Sequence, residues 1–232
     1  MVKPERNVSE KEIKYGEKDW ERLKKFRKEA EELLEILNQF NISGLVHGSV
    51  ARGDVDKNSD IDVIIPDPVP SFKVELALKE NGYKNLDRKI VMATPWQLPK
   101  AHIYLRDKKM VTIPLKKPKK LEEEFYKFGG AASLSQIKEG KRTPGVDKRL
   151  ILIEPIEKGH RERQVIGKEN EVAKILGVSI EIVEERVHVL TKREEIGRTG
   201  IFLEKELTPK ESFEEAWRQI VKNNPQITKR GS

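Results

Sequence analysis

The sequence predicts an α/β (α+β) protein with a mixed sheet flanked by helices and a smaller helix-rich C-terminal region. Three observations predict this fold class. A long helical pattern comes first, short apolar runs of strand length follow with another helix among them, and helical patterns return towards the C-terminus. Strands that alternate with helices in this way are typical of α/β and α+β sheet domains.

The first helix is predicted over residues 17–40, because apolar residues recur there at spacings of three and four with Lys, Arg and Glu between them. Residues 41–44 suit a helix end and a turn. Two buried strands are predicted next, at residues 44–48 and 60–65, and the proline-rich run 66–70 ends the second one.

A second helix and three strands complete the predicted sheet. The helix is predicted to begin near Phe72 and to end at Asn81-Gly82, and the strands are predicted over residues 89–93, 102–105 and 110–115. Turn residues between the last two strands, at positions 106–109, predict a hairpin.

The lysine-rich run 116–120 changes the local composition. We expect a boundary there, between a domain of residues 1–118 and a C-terminal region of residues 119–232. The elements predicted in that region are a helix at 121–128, a strand at 149–154 and helices at 169–176, 180–192 and 209–222.

Composition excludes several classes of function. The chain has no cysteine, so disulfides, iron–sulfur clusters, Cys-ligated zinc and thiol nucleophiles are absent. No apolar run approaches the roughly 18 residues of a membrane-spanning helix, and the first residues form no secretory signal. We therefore expect a cytoplasmic protein that does not enter a membrane. The abundance of Lys and Glu also fits adaptation to heat.

Two aspartates on the second strand form the first candidate site. Asp60 and Asp62 are two positions apart, so on a strand their carboxylates point to the same face, while Ile61 and Val63 point to the other. Neighbouring carboxylates repel each other unless a cation lies between them. Oxygen ligands suit a hard divalent ion, and Mg²⁺ is the usual one where phosphates complete its coordination.

The turn after the first strand forms the second candidate site. Gly48 permits a close approach of the backbone, and Ser49 supplies a hydroxyl and an amide at the start of a helical turn, where anions bind. Arg52, three residues further on, is within reach of the same anion. A phosphate site and a metal site in one segment are what phosphoryl or nucleotidyl transfer requires.

The segment from Gly48-Ser49-Val50-Ala51-Arg52-Gly53 to Ser59-Asp60-Ile61-Asp62 resembles the signature of the polymerase-β-type nucleotidyltransferase superfamily, and especially its minimal prokaryotic and archaeal members. The resemblance covers residues 17–115. It implies that Gly48 and Ser49 hold a nucleoside triphosphate. It also implies that Asp60 and Asp62 bind two Mg²⁺ ions for attack of a hydroxyl on the α-phosphorus.

A third carboxylate, which the superfamily usually carries on a later strand, has no evident counterpart in this sequence. Thr112 stands at the corresponding position, and a threonine hydroxyl neither carries charge nor accepts a proton near neutral pH. The weaker substitutes are Asp107, Asp87 and Glu154. The sequence therefore leaves two functions open: a Mg²⁺-dependent transferase, or a nucleotide- or nucleic-acid-binding regulator with little or no turnover.

A basic stretch from Lys100 to Lys120 accounts for much of the formal charge of +7. Such a stretch suits RNA or DNA as an acceptor. The alternative is a solvated hairpin whose edge strands carry protective lysines. A protein partner or a homo-oligomer also stays open.

Residues 169–193 resemble a helix-turn-helix, with Gly177 at the turn and Ser179 at the start of the second helix. The outer face of that helix begins with Glu181, Glu184 and Glu185, which phosphates repel. DNA reading and a structural or protein-binding helical pair are the alternatives. Residues 196–202 predict either the wing of a winged helix or a loop into a strand.

Overall fold

The structure is a computed structural model that describes residues 3–6, 8–84, 86–197 and 200–228. The elements follow one another as β1 (Lys11–Lys14), α1 (Glu17–Gln39), β2 (Leu45–His47), α2 (Ser49–Arg52), β3 (Ile61–Ile64), α3 (Ser71–Glu80), β4 (Asp87–Met92), β5 (Lys100–Leu105), β6 (Lys109–Pro114), α4 (Lys120–Gly129), β7 (Ala131–Ser133), α5 (Leu134–Lys138), β8 (Gly145–Val146), β9 (Ile151–Ile156), β10 (Gly159–Gln164), α6 (Glu169–Leu176), α7 (Ile180–Ile196), β11 (Leu203–Glu206), α8 (Phe213–Asn223) and α9 (Pro225–Thr228).

The chain forms two units, and each is built from three separate segments. Unit 1 consists of Met1–Glu32, Leu45–Ile61 and Lys119–Thr199, and unit 2 of Leu33–Gly44, Asp62–Pro118 and Gly200–Ser232. One of the points at which the chain passes between the units lies between Pro118 and Lys119, where the sequence predicts a boundary. The other crossing points were not predicted.

Unit 1 contains an antiparallel sheet with the strand order β1-β10-β9-β8, and a separate antiparallel pairing of β2 with β7. Its core is a cluster of buried apolar side chains from α4, the sheet, α6 and α7. These are Phe128, Val146, Leu150, Leu152, Val165, Val172, Ala173, Ile182 and Val183. The two helices at residues 169–196 therefore bury their apolar faces within unit 1.

Unit 2 contains the antiparallel strands β11-β4-β5-β6, with β3 next to β6. Side chains alternate between two faces of this sheet, as the period of a strand requires. One face is buried and includes Ile90, Ala101, Ile103, Val111 and Ile113. The guanidinium of Arg88, on the same face, pairs with Glu75 of α3 at 3.1 Å and lies over the ring of Phe213 of α8.

The other face of this sheet is polar and partly exposed. Lys89 lies opposite His102, and His102 lies opposite Thr112. Lys89 pairs there with Glu204 and Glu206 of β11, at 3.1 and 2.8 Å.

The predicted α+β class with a mixed sheet flanked by helices is confirmed, and most predicted elements are present within a few residues. The strand predicted at 60–65 is shorter, so Asp60 immediately precedes β3. The predicted wing includes positions 198 and 199, which lie outside the described residues. The segment continues into β11, which pairs with β4 of unit 2, in line with the second alternative.

None of the helices in the described ranges combines the length and the apolar character needed to cross a bilayer.

Candidate functional site

The turn between β2 and α2 has a backbone conformation that favours glycine. Gly48 has φ 77° and ψ −141°, and a Cβ atom there would contact nothing within 4 Å. Glycine is therefore required by the positive φ and not by crowding. The Gly48 amide donates to the carbonyl of Gly130 at 2.9 Å. Within the short helix α2, the amide of Arg52 donates to the carbonyl of Gly48 at 3.0 Å, and the amide of Gly53 donates to the carbonyl of Ser49 at 2.7 Å. We call residues 48–53 the GS turn.

Three glycines from a distant part of the chain pack closely at or next to the GS turn. A Cβ atom on Gly129 would lie 2.3 Å from Cε1 of His47, and one on Gly130 would lie 2.6 Å from Cγ of Arg52. A Cβ atom on Gly145 would lie 2.4 Å from the amide nitrogen of Gly130. The sequence reading of Gly129-Gly130 as a helix stop fits α4, which ends at Gly129. It missed this close packing.

Ser49 and Ser59 connect the two ends of the loop that follows the GS turn. The Ser49 hydroxyl donates to the Ser59 hydroxyl at 3.3 Å, and the Ser59 hydroxyl accepts the amide of Asp56 at 2.9 Å. The Ser49 side chain therefore lies next to the residue that precedes Asp60.

Arg52 is buried, and its guanidinium is engaged by protein groups. Nε and Nη2 donate to the two carboxylate oxygens of Asp54 at 3.0 and 2.9 Å, and Nη1 donates to the carbonyl of Gly129 at 2.6 Å. A two-pronged pair of this kind is strong and fixes the orientation of both side chains. These contacts give Arg52 a role in holding the GS turn on α4, while its predicted contact with phosphate stays a prediction.

The two candidate metal-binding aspartates differ in exposure. Asp60 is exposed at the end of the loop. Asp62 is half-buried on β3, between the buried Ile61 and Val63. The charge of Asp62 is felt by Tyr104 of β5: burial raises the pKa of that phenol first of all, and the Glu204 and Asp62 carboxylates raise it further, against the lowering effect of Lys89.

Thr112, which the sequence predicts to stand in place of the third acid, is buried and bonded to a histidine. Its hydroxyl lies 2.9 Å from Nδ1 of His102, and only 4% of the residue is exposed. Burial, followed by the charge of Lys100, lowers the pKa of His102 to about 4. His102 is therefore neutral at pH 7.

The weaker substitutes lie elsewhere in the structure. Asp107 has φ 59° in the turn between β5 and β6, and Asp87 is exposed at the start of β4. Glu154 of β9 pairs with Arg163 at 2.5 Å. Within the described ranges, no three or more His, Asp or Glu side chains are grouped so that they could hold a metal ion.

The helix pair of the predicted helix-turn-helix packs onto α4. The hydroxyl of Ser179 donates to the carboxylate of Glu124, and the guanidinium of Arg186 lies 5.2 Å from the ring centre of Phe125. Gly177 adopts the left-handed conformation at the end of α6. The helices and their turn are thus present, and DNA reading by α7 stays a prediction.

The basic stretch includes several exposed cations at the β5–β6 turn and after β6, namely Arg106, Lys108, Lys117, Lys119 and Lys120. Lys116 lies over the ring of Trp217 at 5.9 Å, and Lys120 pairs with Glu124 at 3.8 Å. Two aromatic side chains near this stretch are also exposed, Trp96 and Tyr104.

Comparison with known proteins identifies the family. No curated protein matches the chain. The family model described as nucleotidyltransferase domain matches residues 23–206, which include the GS turn, both aspartates, Thr112 and the packing glycines. The match covers most of the chain and agrees with the α+β fold. This protein therefore belongs to the nucleotidyltransferase domain family, of the polymerase-β type.

Proposed function

We propose that this protein transfers a nucleoside monophosphate from a nucleoside triphosphate to a hydroxyl group, with Mg²⁺ as the metal. The observation that carries the proposal is the GS turn. Gly48 has a positive φ, and no other group lies within 4 Å of the position of its Cβ atom. The Gly48 amide and the Arg52 guanidinium, both in the turn, bind the carbonyls of Gly130 and Gly129. A rigid turn with an open side is suited to holding phosphates.

The donor set suits the metal that the family implies. Asp60 and Asp62 offer hard carboxylate oxygens, one exposed and one half-buried, and Mg²⁺ in phosphate-transfer sites is usually bound by one or two carboxylates together with phosphates and water. We assign Asp60 and Asp62 to the metal, and Gly48, Ser49 and Arg52 to the triphosphate. When bound, Mg²⁺ would neutralise charge on the phosphates and polarise the α-phosphorus.

The reaction follows from these assignments. The acceptor oxygen forms a bond to the α-phosphorus and gives up its proton to water, the bond from that phosphorus to the bridging oxygen breaks, and pyrophosphate leaves and takes up a proton. The amide and hydroxyl of Ser49 would bind phosphate oxygens and orient the leaving group. Thr112 cannot take the acceptor's proton, because its hydroxyl does not accept a proton near neutral pH and is bonded to His102.

We infer that the acceptor is a nucleic acid. The exposed cations of the basic stretch support this class, since phosphate-binding surfaces are rich in Lys and Arg. A protein hydroxyl is the other outcome that the experiment below distinguishes. The cytoplasmic location and any homo-oligomer stay predictions.

A second candidate function is a nucleotide-binding regulator with little turnover. The Thr112–His102 bond supports it, because it leaves a buried neutral pair where the sequence predicts the third acid of the family. Such a protein would bind a triphosphate with its GS turn and transfer little or nothing.

The test uses each α-³²P-labelled triphosphate in turn, with Mg²⁺ and either total RNA or total protein. Label in RNA that disappears with EDTA and with Asp62→Asn supports the transferase with a nucleic-acid acceptor. Label in protein would overturn the acceptor class. Binding without incorporation would favour the regulator, and neither binding nor incorporation would overturn both functions.

A further inference from the structure

The far end of the GS turn is held by a tyrosine from the N-terminal part of the chain. The hydroxyl of Tyr15 donates to the carbonyl of Gly53 at 2.9 Å. Tyr15 follows β1, and its own amide donates to the carbonyl of Lys158 at 2.9 Å, between β9 and β10. All three residues belong to unit 1.

The carbonyl of Gly53 sets the direction of a second hydrogen bond of the Tyr15 hydroxyl, the one with His160. Nδ1 of His160 lies 2.7 Å from the Tyr15 hydroxyl. A phenol has one hydrogen, and a carbonyl oxygen only accepts. When the phenolic hydrogen goes to Gly53, Nδ1 of His160 must donate to the phenolic oxygen. Burial raises the pKa of Tyr15 first of all, so the phenol stays protonated and remains a donor.

The side chain of Arg142 also packs against Gly53. A Cβ atom on Gly53, whose φ is 102°, would lie 2.5 Å from Cδ of Arg142. The guanidinium donates to the carbonyls of Ile156 and Gly159 at 2.5 and 2.8 Å, and lies over the ring of Trp20 at 5.0 Å. Next to it, the amide of Thr143 donates to the carbonyl of Ala51 at 3.0 Å.

We propose that Tyr15 is a positioning residue for triphosphate binding, acting through the carbonyl of Gly53 on the shape of the GS turn. This inference rests on the proposed function, because it assumes that the turn holds phosphates. Its physical basis is that groups fixed before the ligand arrives bind it without a further ordering cost. Tyr15 is also distant in sequence from the residues of the GS turn, since 38 positions separate it from Gly53.

The experiment compares Tyr15→Phe with a control, Tyr83→Phe, which removes a tyrosine hydroxyl from unit 2. Equilibrium binding of each labelled triphosphate with Mg²⁺ gives Kd, and steady-state transfer gives KM and kcat. Amide hydrogen exchange of Arg52 and Gly53 is measured without nucleotide. We expect Tyr15→Phe to raise Kd and KM about three- to tenfold, the effect of one lost hydrogen bond, with kcat at saturation nearly unchanged. The two amides should exchange faster by a similar factor.

His160→Gln provides a second variant if Tyr15→Phe lowers the melting temperature strongly. A glutamine reaches the place of Nε2 and loses the donor at Nδ1, so it should raise Kd in the same direction while Tyr15 keeps its hydroxyl. Equal values of Kd, KM and the amide exchange rates in Tyr15→Phe and Tyr83→Phe would overturn the role of Tyr15 and leave the proposed function standing. Absence of triphosphate binding by the unmodified protein would overturn the proposed function and this inference with it, even where exchange at the turn changes.

Discussion

The hydroxyl of Thr112 and Nδ1 of His102 lie 2.9 Å apart on directly opposed positions of β6 and β5. The sequence predicts that Thr112 stands where the family carries an acid, and its bond to His102 has two consequences that can be measured. One concerns the dependence of stability on pH, and the other concerns the chemistry of the site.

Stability should fall as the pH is lowered from about 6.5 to about 4. The pKa of His102 is lowered to about 4 in the folded protein, against an ordinary value near 6.5. Between these values the unfolded chain binds a proton that the folded protein does not, so His102 contributes a loss of up to about 3 kcal/mol. Urea unfolding at pH 7 and pH 4.5 measures it. His102→Asn should flatten the dependence, whereas His188→Asn, at an exposed position, should leave it unchanged.

Thr112→Asp should restore charge to the site. We expect the transfer rate to rise at least about tenfold, because a positioned base contributes on the order of a hundredfold or more. A carboxylate at this buried position should also lower the unfolding free energy by more than the roughly 1–3 kcal/mol that a buried neutral polar group costs. The control is Thr112→Asn, because asparagine has nearly the same shape as aspartate but carries no charge. A rise in both variants would show that charge is not the cause, and no rise in either would contradict the assignment of Thr112 to the acid's place.

Arg52→Lys should destabilise the protein by about 2–4 kcal/mol, because lysine cannot form the two-pronged pair with Asp54 and also reach Gly129. Chemical denaturation gives the free energy of unfolding. The control is Lys141→Ala, which removes an exposed pair with Glu139 and should change stability by less than about 0.5 kcal/mol. An equally stable Arg52→Lys protein with weakened triphosphate binding would instead make Arg52 a phosphate ligand without a structural role.

Gly48→Ala and Gly82→Ala form a matched pair. Both glycines have positive φ, 77° and 89°, and neither would place a Cβ atom within 4 Å of another group. Each substitution should therefore cost about 1–2 kcal/mol through backbone strain alone. Triphosphate binding should weaken in Gly48→Ala and stay unchanged in Gly82→Ala. Equal binding in the two variants would argue against phosphate contact at Gly48.

The elements that the sequence predicted well are those whose apolar residues repeat with the period of a helix or a strand. Helix α1 and strands β4, β5 and β6 are examples, because one face of each is buried in a core. Strands β1 and β10 gave no such signal. They are held by opposed charges, with Lys11 and Glu162 at 2.8 Å and Arg161 and Glu12 at 2.9 Å. A charged strand of this kind resembles a loop in sequence.

The candidate site was predicted in part for a similar reason. Gly48, Ser49, Asp60 and Asp62 lie close together in the sequence, so their spacing was informative. The groups that hold the GS turn come from distant positions, including Tyr15, Gly130 and Arg142. The sequence predicted that Arg52 reaches an anion at the turn, while in the structure its guanidinium binds the carboxylate of Asp54 and the carbonyl of Gly129. Sequence patterns over short windows cannot show such contacts.

The bond between Tyr15 and His160 joins positions 145 residues apart, and this separation has a consequence during synthesis on the ribosome. Tyr15 and the GS turn emerge early, but Arg142 and His160, which also hold this end of the turn, emerge only after roughly another hundred amino acids. At typical translation rates this delay is on the order of ten seconds. For that time the nascent chain carries the turn and Tyr15 without Arg142 and His160, so nucleotide should bind more weakly until β10 has left the exit tunnel.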